Sequence, residues 1–461
     1  MITENFSQED SSTKQMDSSQ KGALAGLQAD AGMNKQDVKS APDSNSQSAA
    51  LPDLNYLLAQ PESEETNSLI DQQIADIYEA LPDDQKEILK KAAPELLNDK
   101  ELEAPFGEIT QKALMRNADQ FPPVKNPDGS MSYTLLQIGM TDRESPDGVN
   151  YFCRKVDVTV PAGAPSLGDC QFTFNDREMI NEEKYNQLLE KEKAWSKDIS
   201  FFTHGVSTDA RNADKQALKL ELSNGLPTVN IDWTANPAKN EKDPAQSLGQ
   251  YLKDTVAAKR ANDNAIFTGA IDKTIEKIGA ENTSMIGFSH GGMFDTRYLK
   301  HRVSNHLPEL DTVILTHPDL PIGSGELWNN SKPRVIGEAA EHSFVIGSRR
   351  DWALRMGMIV SHLPFGHPAH DSGNLEQRLG NYSFASRMFI NLAGAKAVKE
   401  VNQEDLGTHH FLNYAGINQL LKDGELPFKQ LQDKYNDATE HARQQALLSQ
   451  YFALNPVNRV A

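Results

Sequence analysis

The sequence predicts an α/β protein in which a doubly wound, mostly parallel sheet follows an antiparallel N-terminal part. Two observations carry this prediction. From residue 198 onward, short apolar runs alternate with segments of helical spacing, and the spacers are long enough for the crossovers that parallel strands require. Between residues 132 and 174, apolar runs of strand type are separated by turns rich in Pro and Gly, which is typical of antiparallel strands.

The N-terminal segments precede this domain and differ from it in composition. Residues 1–66 are predicted to be a disordered tail, because they are rich in Ser, Gln, Asp, Asn and Lys and poor in aromatic residues. Such a tail is typical of the unstructured export signals of bacterial effectors, of a segment that binds a protein partner, and equally of a plain disordered terminus. Residues 67–130 are predicted to be a helical lead-in, with Pro82 and Pro94 as breaks.

The α/β domain is predicted to span residues 131–425, with a helical C-terminal tail over 426–461. Strands of the antiparallel part are predicted at 133–138, 151–153, 156–160 and 172–174, followed by a charged helix over 181–197. Parallel strands are predicted at 199–202, 228–232, 284–288, 312–316 and 343–346. Helices are predicted over 210–222, 245–278 and 293–301. In such a sheet the reactive site lies at the carboxyl ends of the strands.

Composition excludes several classes of function. The 461 residues carry a formal net charge of -19 and a pI near 5.1, which argues against binding to nucleic acid or to an anionic membrane. The sequence has neither an integral membrane segment, which needs about eighteen apolar residues, nor a secretory signal peptide. Its two cysteines, Cys153 and Cys170, fit a reducing compartment. We therefore expect a cytoplasmic protein, with export without a cleavable signal peptide as the alternative.

The central motif is the sequence GFSHG at residues 287–291. An apolar strand leads into it and a segment able to form a helix follows, which is the context of a nucleophile elbow. Ser289 in such a turn needs a strained backbone, and a side chain at Gly287 or Gly291 would collide with the strand or the helix. The bare pattern also arises by chance in Gly-rich loops, so its context decides the interpretation.

A serine nucleophile requires a base, an orienting carboxylate and donors for the oxyanion. The predicted donors are the backbone N–H groups of His290 and Val206, the latter in the loop after the first parallel strand. His204 in that loop is interpreted as a structural residue rather than as the base.

In folds with such an elbow, the triad residues follow one another along the chain as nucleophile, acid and histidine. Two aspartates, each after a predicted strand, come after Ser289 and are candidates for the acid. Asp351 is the predicted acid because it follows the later strand. Asp319 is the alternative. Asp351 could instead be the N-cap of the next helix, and Asp319 could be a turn residue after Pro318.

The predicted base is His409, with its neighbour His410 as the alternative; both could also be surface histidines in a polar loop. Three further histidines, His362, His367 and His370, lie in or beside a loop rich in Pro and Gly. That loop could be read as a metal site of His and Asp, but its ligands lack a regular spacing, so no metal and no cofactor are predicted.

Residues 135–421 resemble a bacterial α/β-hydrolase family known only as domain of unknown function 900. The resemblance is carried by six short motifs in order, namely 141–143 (TDR), 202–205 (FTHG), 287–291 (GFSHG), 317–319 (HPD), 348–354 (SRRDWAL) and 409–411 (HHF). It implies a serine-hydrolase fold with a triad of Ser289, Asp351 and His409. The chain departs from the family at His290, where a methionine is common.

These features together predict a serine hydrolase of the esterase or lipase class that cleaves a small-molecule or lipid ester. A serine peptidase would share the same site. The alternative from another class is a non-catalytic α/β-hydrolase scaffold that acts as a secreted bacterial effector or binds a protein partner.

Overall fold

The structure is a computed structural model that describes part of the chain. The described residues are 54–60, 63–96, 124–125, 130–140, 148–159, 170–233, 235, 243–321, 334–347, 351–361, 378–381, 389–391, 393–399, 417 and 421. Residue contacts divide the chain into two units, residues 1–51 with 445–459 and residues 52–444 with 460–461. All of the described residues lie in the second unit, and its fold is the one given below.

The described strands join into one sheet. In chain order they are β1 Val124–Lys125, β2 Met131–Met140, β3 Val149–Thr159, β4 Gln171–Phe174, β5 Glu178–Ile180, β6 Ile199–Thr203, β7 Thr228–Asp232, β8 Thr283–Phe288, β9 Leu310–Thr316, β10 Ala340–Gly347 and β11 Lys396–Lys399. Their order across the sheet is β11-β10-β9-β8-β6-β7-β2-β3-β4, with β1 beside β2 and β5 beside β3. From β11 to β2 every pairing is parallel, whereas β1, β3, β4 and β5 pair antiparallel. The predicted fold class, a mostly parallel α/β-hydrolase sheet with an antiparallel N-terminal part, is confirmed.

Helices precede the sheet and connect its parallel strands. They are α1 Leu54–Ala59, α2 Glu64–Ala80, α3 Asp83–Leu96, α4 Glu182–Trp195, α5 Ala210–Asn224, α6 Pro244–Asp263, α7 Ala265–Ile278, α8 His290–Ser304, α9 Val335–Ala339 and α10 Trp352–Ser361. Polar side chains cap several of them: Asn181 accepts a hydrogen bond from the Lys184 N–H at the start of α4, and Asp209 accepts one from the Asn212 N–H at the start of α5. The sequence therefore marks these helix starts locally.

The central strands are buried along their whole length. Every residue of β6, β7 and β8 is buried, as expected for parallel strands that are covered on both faces. All five predicted parallel strands are present, and the observed ranges extend the predicted ones by at most three residues at either end. Short apolar runs thus located the part of the sheet that positions the candidate site.

Two predicted elements are corrected. The predicted ranges 151–153 and 156–160 are replaced by one strand, β3, which continues through two basic residues, Arg154 and Lys155; the Arg154 side chain is buried in an ion pair 2.6 Å from Asp214. The predicted helix over 245–278 is two helices, α6 and α7, which are separated at Asn264. The Asn264 side chain accepts hydrogen bonds from the N–H groups of Ile266 and Phe267 and so starts the second helix.

The N-terminal helices begin earlier than composition predicts. Helix α1 and the start of α2 fall inside residues 1–66, where disorder is predicted, and this part of the prediction is corrected. Leu54, Leu57 and Leu58 have helical spacing and are all buried, and Ser63 caps α2 by accepting a hydrogen bond from the Thr66 N–H. The predicted C-terminal tail, 426–461, lies outside the described residues.

Helices α1 to α3 pack against α6 and α10 in one apolar cluster. Members of this cluster include Ile74 of α2, Leu89 of α3, Leu252 of α6 and Met356 of α10. Val206, in the loop after β6, belongs to the same cluster, so the lead-in helices support a loop beside the predicted nucleophile. None of the helices in the described part of the chain has the length and apolarity needed to cross a membrane.

Candidate active site

Ser289 lies in a sharp turn between strand β8, which ends at Phe288, and helix α8, which begins at His290. Its backbone angles are φ 54° and ψ -117°, in a region that residues other than glycine rarely adopt. Such strain persists only where the surrounding structure enforces it, and it is concentrated at functional sites. The local geometry is therefore that of a nucleophile elbow.

The two glycines of the motif are required by close packing. A Cβ atom at Gly287 would collide with the carboxylate of Asp295 and would lie 2.9 Å from the Cα atom of Gly292, both in helix α8. A Cβ atom at Gly291 would collide with the backbone carbonyl of Thr203 at the end of β6. The elbow therefore has no room for a side chain at either position.

Backbone hydrogen bonds join the elbow to the end of strand β9. The Ser289 N–H donates to the Thr316 carbonyl at 3.0 Å, and the Asp319 N–H donates to the Ser289 carbonyl at 3.0 Å. The segment from Thr316 to Asp319 therefore holds the strained turn from one side.

The loop after β6 runs along the other side of the elbow. A Cβ atom at Gly205 would lie 3.1 Å from the Ser289 Cβ, which shows how closely this loop approaches the serine. Val206 is buried, and Ser207 has a positive φ of 55°. His290 is the first residue of α8, where a backbone N–H has no partner one turn earlier in the helix. Both residues predicted to supply oxyanion donors thus lie beside Ser289.

His204 is enclosed in this loop. Its ring is fully buried and stacks on the Trp233 ring at a centroid distance of 5.0 Å. Its Nδ1 atom lies 3.0 Å from the Gly205 carbonyl and its Nε2 atom 3.5 Å from the Asp232 carboxylate, while the Trp233 indole donates to the His204 carbonyl. These contacts fit the structural role predicted for His204.

Asp351 is fully buried and lies four residues after the end of strand β10. Its Oδ1 atom accepts a hydrogen bond from the Leu354 N–H at 2.9 Å, so it caps helix α10, the role considered as an alternative above. Its Oδ2 atom accepts a hydrogen bond from Nδ1 of His317 at 2.9 Å. Asp351 thus combines a helix cap with an imidazole contact that the sequence did not indicate.

His317 follows strand β9, which lies between β8, the strand before Ser289, and β10, the strand before Asp351. Residues Phe288, Thr316 and Ile346 are neighbours across β8, β9 and β10, so Ser289 and His317 each follow directly after paired positions. His317 has a positive φ of 46°, is fully buried, and donates its N–H to the Ile346 carbonyl. The interpretation of the sequence included His317 only as part of a short motif and gave it no role.

Asp319 is surrounded by polar groups from three other elements. Its Oδ2 atom accepts a hydrogen bond from the Tyr251 hydroxyl at 2.6 Å and lies 3.1 Å from Nδ1 of His290, and its Oδ1 atom lies 3.2 Å from Nε of Arg378. Burial alone would raise the pKa of Asp319, but the Arg378 guanidinium and the His290 ring lower it below its ordinary value. Asp319 is therefore a buried carboxylate with a counter-charge, not an ordinary turn residue after Pro318.

The second nitrogen of the His290 ring is also held. The Thr255 hydroxyl donates to the Tyr251 carbonyl at 2.7 Å within helix α6, so it accepts a hydrogen bond from Nε2 of His290 at 2.7 Å. The Tyr251 ring packs edge-on against the His290 ring. The side chain of the residue after the nucleophile is therefore fixed to helix α6 and to Asp319.

The predicted bases lie outside the described residues. These are His409 and His410, and the loop histidines His362, His367 and His370 lie outside them as well. Within the described part of the chain, no group of three or more His, Cys, Asp or Glu side chains is arranged to hold a metal ion. The described site therefore contains Ser289, the two residues predicted to supply oxyanion donors and both candidate acids, and all of these roles stay predictions, as does that of the base.

No protein-family model matches the chain, and no curated protein matches its sequence. Among solved structures, a crystallised esterase is 10% identical, with a TM-score of 0.33 over 84% of this chain and 98% of its own. Carboxyl esterase 2 from the mycorrhizal fungus Tuber melanosporum is 11% identical, with a TM-score of 0.28 over 75% and 98%. A hyperthermophilic esterase from the archaeon Pyrobaculum calidifontis is 15% identical, with a TM-score of 0.25 over 69% and 88%. Likeness of this degree says nothing about activity, which depends on the site.

Proposed function

We propose that this protein is a serine hydrolase that cleaves a carboxylic ester, with Ser289 as nucleophile. The observation that carries the proposal is the backbone of Ser289, with φ 54° between β8 and α8 and a tightly packed glycine on each side. This conformation costs on the order of 1–3 kcal/mol, and an ordinary loop serine gains nothing from it. The resemblance of six short motifs to the α/β-hydrolase family of unknown function favours the same proposal, although no family model matches the chain.

The proposed reaction follows the logic of a serine triad. His409, with His410 as the alternative, takes the proton from the Ser289 hydroxyl while the oxygen attacks the ester carbonyl carbon. The N–H groups of His290 and Val206 stabilise the oxyanion that forms. The alcohol leaves with the proton, and water then releases the acid from the acyl-enzyme by the same steps. No cofactor takes part.

Asp351 is the better candidate for the orienting carboxylate. Both oxygens of Asp319 lie within 3.2 Å of groups that are structural in this proposal, including the Arg378 guanidinium. Asp351 accepts hydrogen bonds from the His317 imidazole and from the Leu354 N–H, and it follows the later strand, where the acid of such a triad is expected. The substrate class is a small-molecule or lipid ester, and a peptidase is the variant of this proposal with a different leaving group.

A serine-reactive fluorophosphonate probe tests the proposal. Wild-type protein should be labelled and should hydrolyse short acyl nitrophenyl esters, whereas Ser289→Ala should lose both. Ser284→Ala is the matched control, because Ser284 is also buried and lies in the same strand β8; this variant should keep labelling and activity.

Wild-type protein that is folded yet neither labelled nor active would contradict the proposal. The chain would then be a non-catalytic α/β-hydrolase scaffold, and Ser289→Ala would leave its biological effects intact. Comparison of an ester with the amide of the same acyl group separates an esterase from a peptidase.

A further inference from the structure

Three side chains on one face of helix α6 contact three different segments around the turn at Ser289. Residues 251, 254 and 255 share a face because they are three and four positions apart. The Tyr251 hydroxyl reaches Asp319 after β9, and the Thr255 hydroxyl reaches the ring of His290 after the nucleophile. The Asp254 carboxylate reaches the loop after β6, where its Oδ2 atom accepts a hydrogen bond from the Ser207 N–H at 2.8 Å.

The contact with Asp254 fixes a peptide unit next to a predicted oxyanion donor. The Ser207 N–H and the Val206 carbonyl belong to the same peptide. Its N–H is held by Asp254, and its carbonyl accepts a hydrogen bond from the Thr208 hydroxyl at 3.1 Å. Because a peptide is planar, these two bonds fix the orientation of the whole unit that follows Val206.

The preceding peptide, which carries the Val206 N–H itself, is held by its carbonyl. The Gly205 carbonyl lies 3.0 Å from Nδ1 of His204, and since a carbonyl only accepts, the ring nitrogen donates. In a trans peptide the N–H points away from the carbonyl, so the Val206 N–H is directed away from the buried His204 ring. The peptide on each side of Val206 is thus held by a buried side chain, His204 on one side and Asp254 on the other.

The peptide between Val206 and Ser207 needs support because the backbone of Ser207 is strained. Ser207 adopts φ 55°, which a serine does not hold without support from its surroundings. A hydrogen bond from a backbone N–H to a carboxylate is roughly twice as strong as one between neutral groups. Asp254 is fully buried, and its Oδ1 atom accepts a second bond from the Gln250 amide at 2.7 Å, which fixes the plane of the carboxylate.

We propose that Asp254 is a positioning residue for the oxyanion hole: it holds the loop after β6 so that the Val206 N–H is in place before substrate binds. This inference rests on the proposed function. A donor that is already oriented is worth more than one that must reorient during the reaction. Asp254 acts through Ser207 and Val206 and does not touch the substrate.

The test compares Asp254→Ala with Asp254→Asn in the full-length chain. Asp254→Ala should lower kcat about 10- to 100-fold with KM changed less than about threefold, because a displaced donor weakens the transition state more than the bound substrate. Asp254→Asn keeps an oxygen that can accept the Ser207 N–H, so its kcat should stay within about fivefold of wild type. The conservative variant thus separates the hydrogen bond from the general effect of altering a buried residue.

Ser247→Ala is the matched control. Ser247 is also fully buried in helix α6, about two turns before Asp254, and should leave kcat unchanged. Amide hydrogen exchange over residues 203–208 gives a readout that does not depend on activity, and exchange there should rise in Asp254→Ala and stay at the wild-type level in the other two variants.

Two results would overturn the inference: a wild-type kcat in Asp254→Ala, or an Asp254→Asn variant that loses as much as Asp254→Ala. Wild-type protein without any hydrolysis would instead contradict the proposed function. In that case the exchange measurement decides alone, and unchanged exchange over 203–208 in Asp254→Ala overturns the positioning role.

Discussion

Two buried aspartates follow neighbouring strands of the sheet, and they differ in what surrounds them. Asp319 follows β9 and Asp351 follows β10, and each carboxylate lies close to one histidine ring, at 3.1 Å and 2.9 Å. Asp319 also lies 3.2 Å from the Arg378 guanidinium and accepts the Tyr251 hydroxyl. Asp351 instead accepts the Leu354 N–H at the start of helix α10.

This difference shows that a position after a strand does not assign a role; the neighbouring charges do. Removal of Asp319 would take away a buried carboxylate 3.2 Å from the Arg378 guanidinium, and the loss of one member of a buried ion pair is strongly destabilising. Asp351 accepts hydrogen bonds from the Leu354 N–H of a helix cap and from the His317 imidazole. We therefore expect Asp319 to maintain the fold and Asp351 to serve the proposed reaction.

Asparagine at the two positions should produce opposite defects, and this comparison has the largest expected effect. Asp351→Asn should lower kcat about 10⁴-fold, as when a triad loses its orienting carboxylate. Its free energy of unfolding should change by less than about 1 kcal/mol, because Asn also caps helices well. Asp319→Asn should lower the free energy of unfolding by about 3–5 kcal/mol. Ester hydrolysis and urea unfolding of both variants check these values.

Asp71→Ala is the control for loss of a charge pair. Asp71 lies 3.0 Å from the Lys253 ammonium in an exposed ion pair, so its removal should cost less than about 1 kcal/mol. If Asp319→Asn were stable but inactive while Asp351→Asn were active but unstable, the two roles would have to be exchanged.

His317→Asn tests the contact that distinguishes Asp351, with a smaller expected effect. Loss of the imidazole bond to Asp351 should lower kcat about 10- to 100-fold, since a hydrogen bond to a charged group is worth about 1.5–3 kcal/mol. Nitrophenyl ester kinetics measure this loss. The control is His301→Asn, because His301 is an exposed histidine 3.4 Å from the Asp272 carboxylate and should not affect the rate.

The size of the loss of kcat in His317→Asn distinguishes two possible roles of His317. His317 directly follows Thr316, which pairs with Phe288, the residue before Ser289. Its Nδ1 atom bonds to the buried carboxylate of Asp351, as the base of a triad does. A loss as large as that of Asp351→Asn would make His317 the general base and would contradict the proposed roles of His409 and His410.

The sequence predicted the positions of the central strands and of the two aspartates better than it predicted their side-chain contacts. The central strands contain short apolar runs, and the two aspartates were located from their positions after such runs. The partners of Asp319 come from distant parts of the chain, since Tyr251 is 68 residues before it and Arg378 lies in a separate segment. No local pattern encodes such pairings, because they form only when helix α6 packs beside the sheet.

His317 shows the same limit at shorter range. Its place after β9 could be read from the sequence, yet the bond to Asp351 depends on the neighbouring register of β9 and β10 and on a backbone with φ 46°. Polar residues inside apolar patterns were also misleading, because Arg154 and Lys155 lie inside the continuous strand β3, where Arg154 is buried beside Asp214.

Asp295 extends the comparison to a third buried aspartate, which has no described cationic partner. Its replacement has the smallest expected effect, a change in how the free energy of unfolding depends on pH. Its Oδ1 atom accepts a hydrogen bond from the Thr203 hydroxyl at 2.7 Å, which joins helix α8 to β6. Burial raises the pKa of Asp295 to about 8, with the hydrogen bond from Thr203 acting in the opposite direction. Asp295 should therefore be neutral in the folded protein at pH 7.

The pH dependence of stability follows from this raised pKa. Between the ordinary pKa of 3.8 and the folded value of about 8, folding takes up one proton at Asp295, so this residue lowers stability as pH rises. The free energy of unfolding of Asp295→Asn minus that of wild type should therefore increase by about 1.4 kcal/mol per pH unit between pH 5 and 7. Urea unfolding at several pH values measures this difference, with Asp71→Asn as the surface control. A difference that does not vary with pH would mean that Asp295 ionises normally inside the fold, and that burial without a counter-charge does not suffice to keep a carboxyl protonated here.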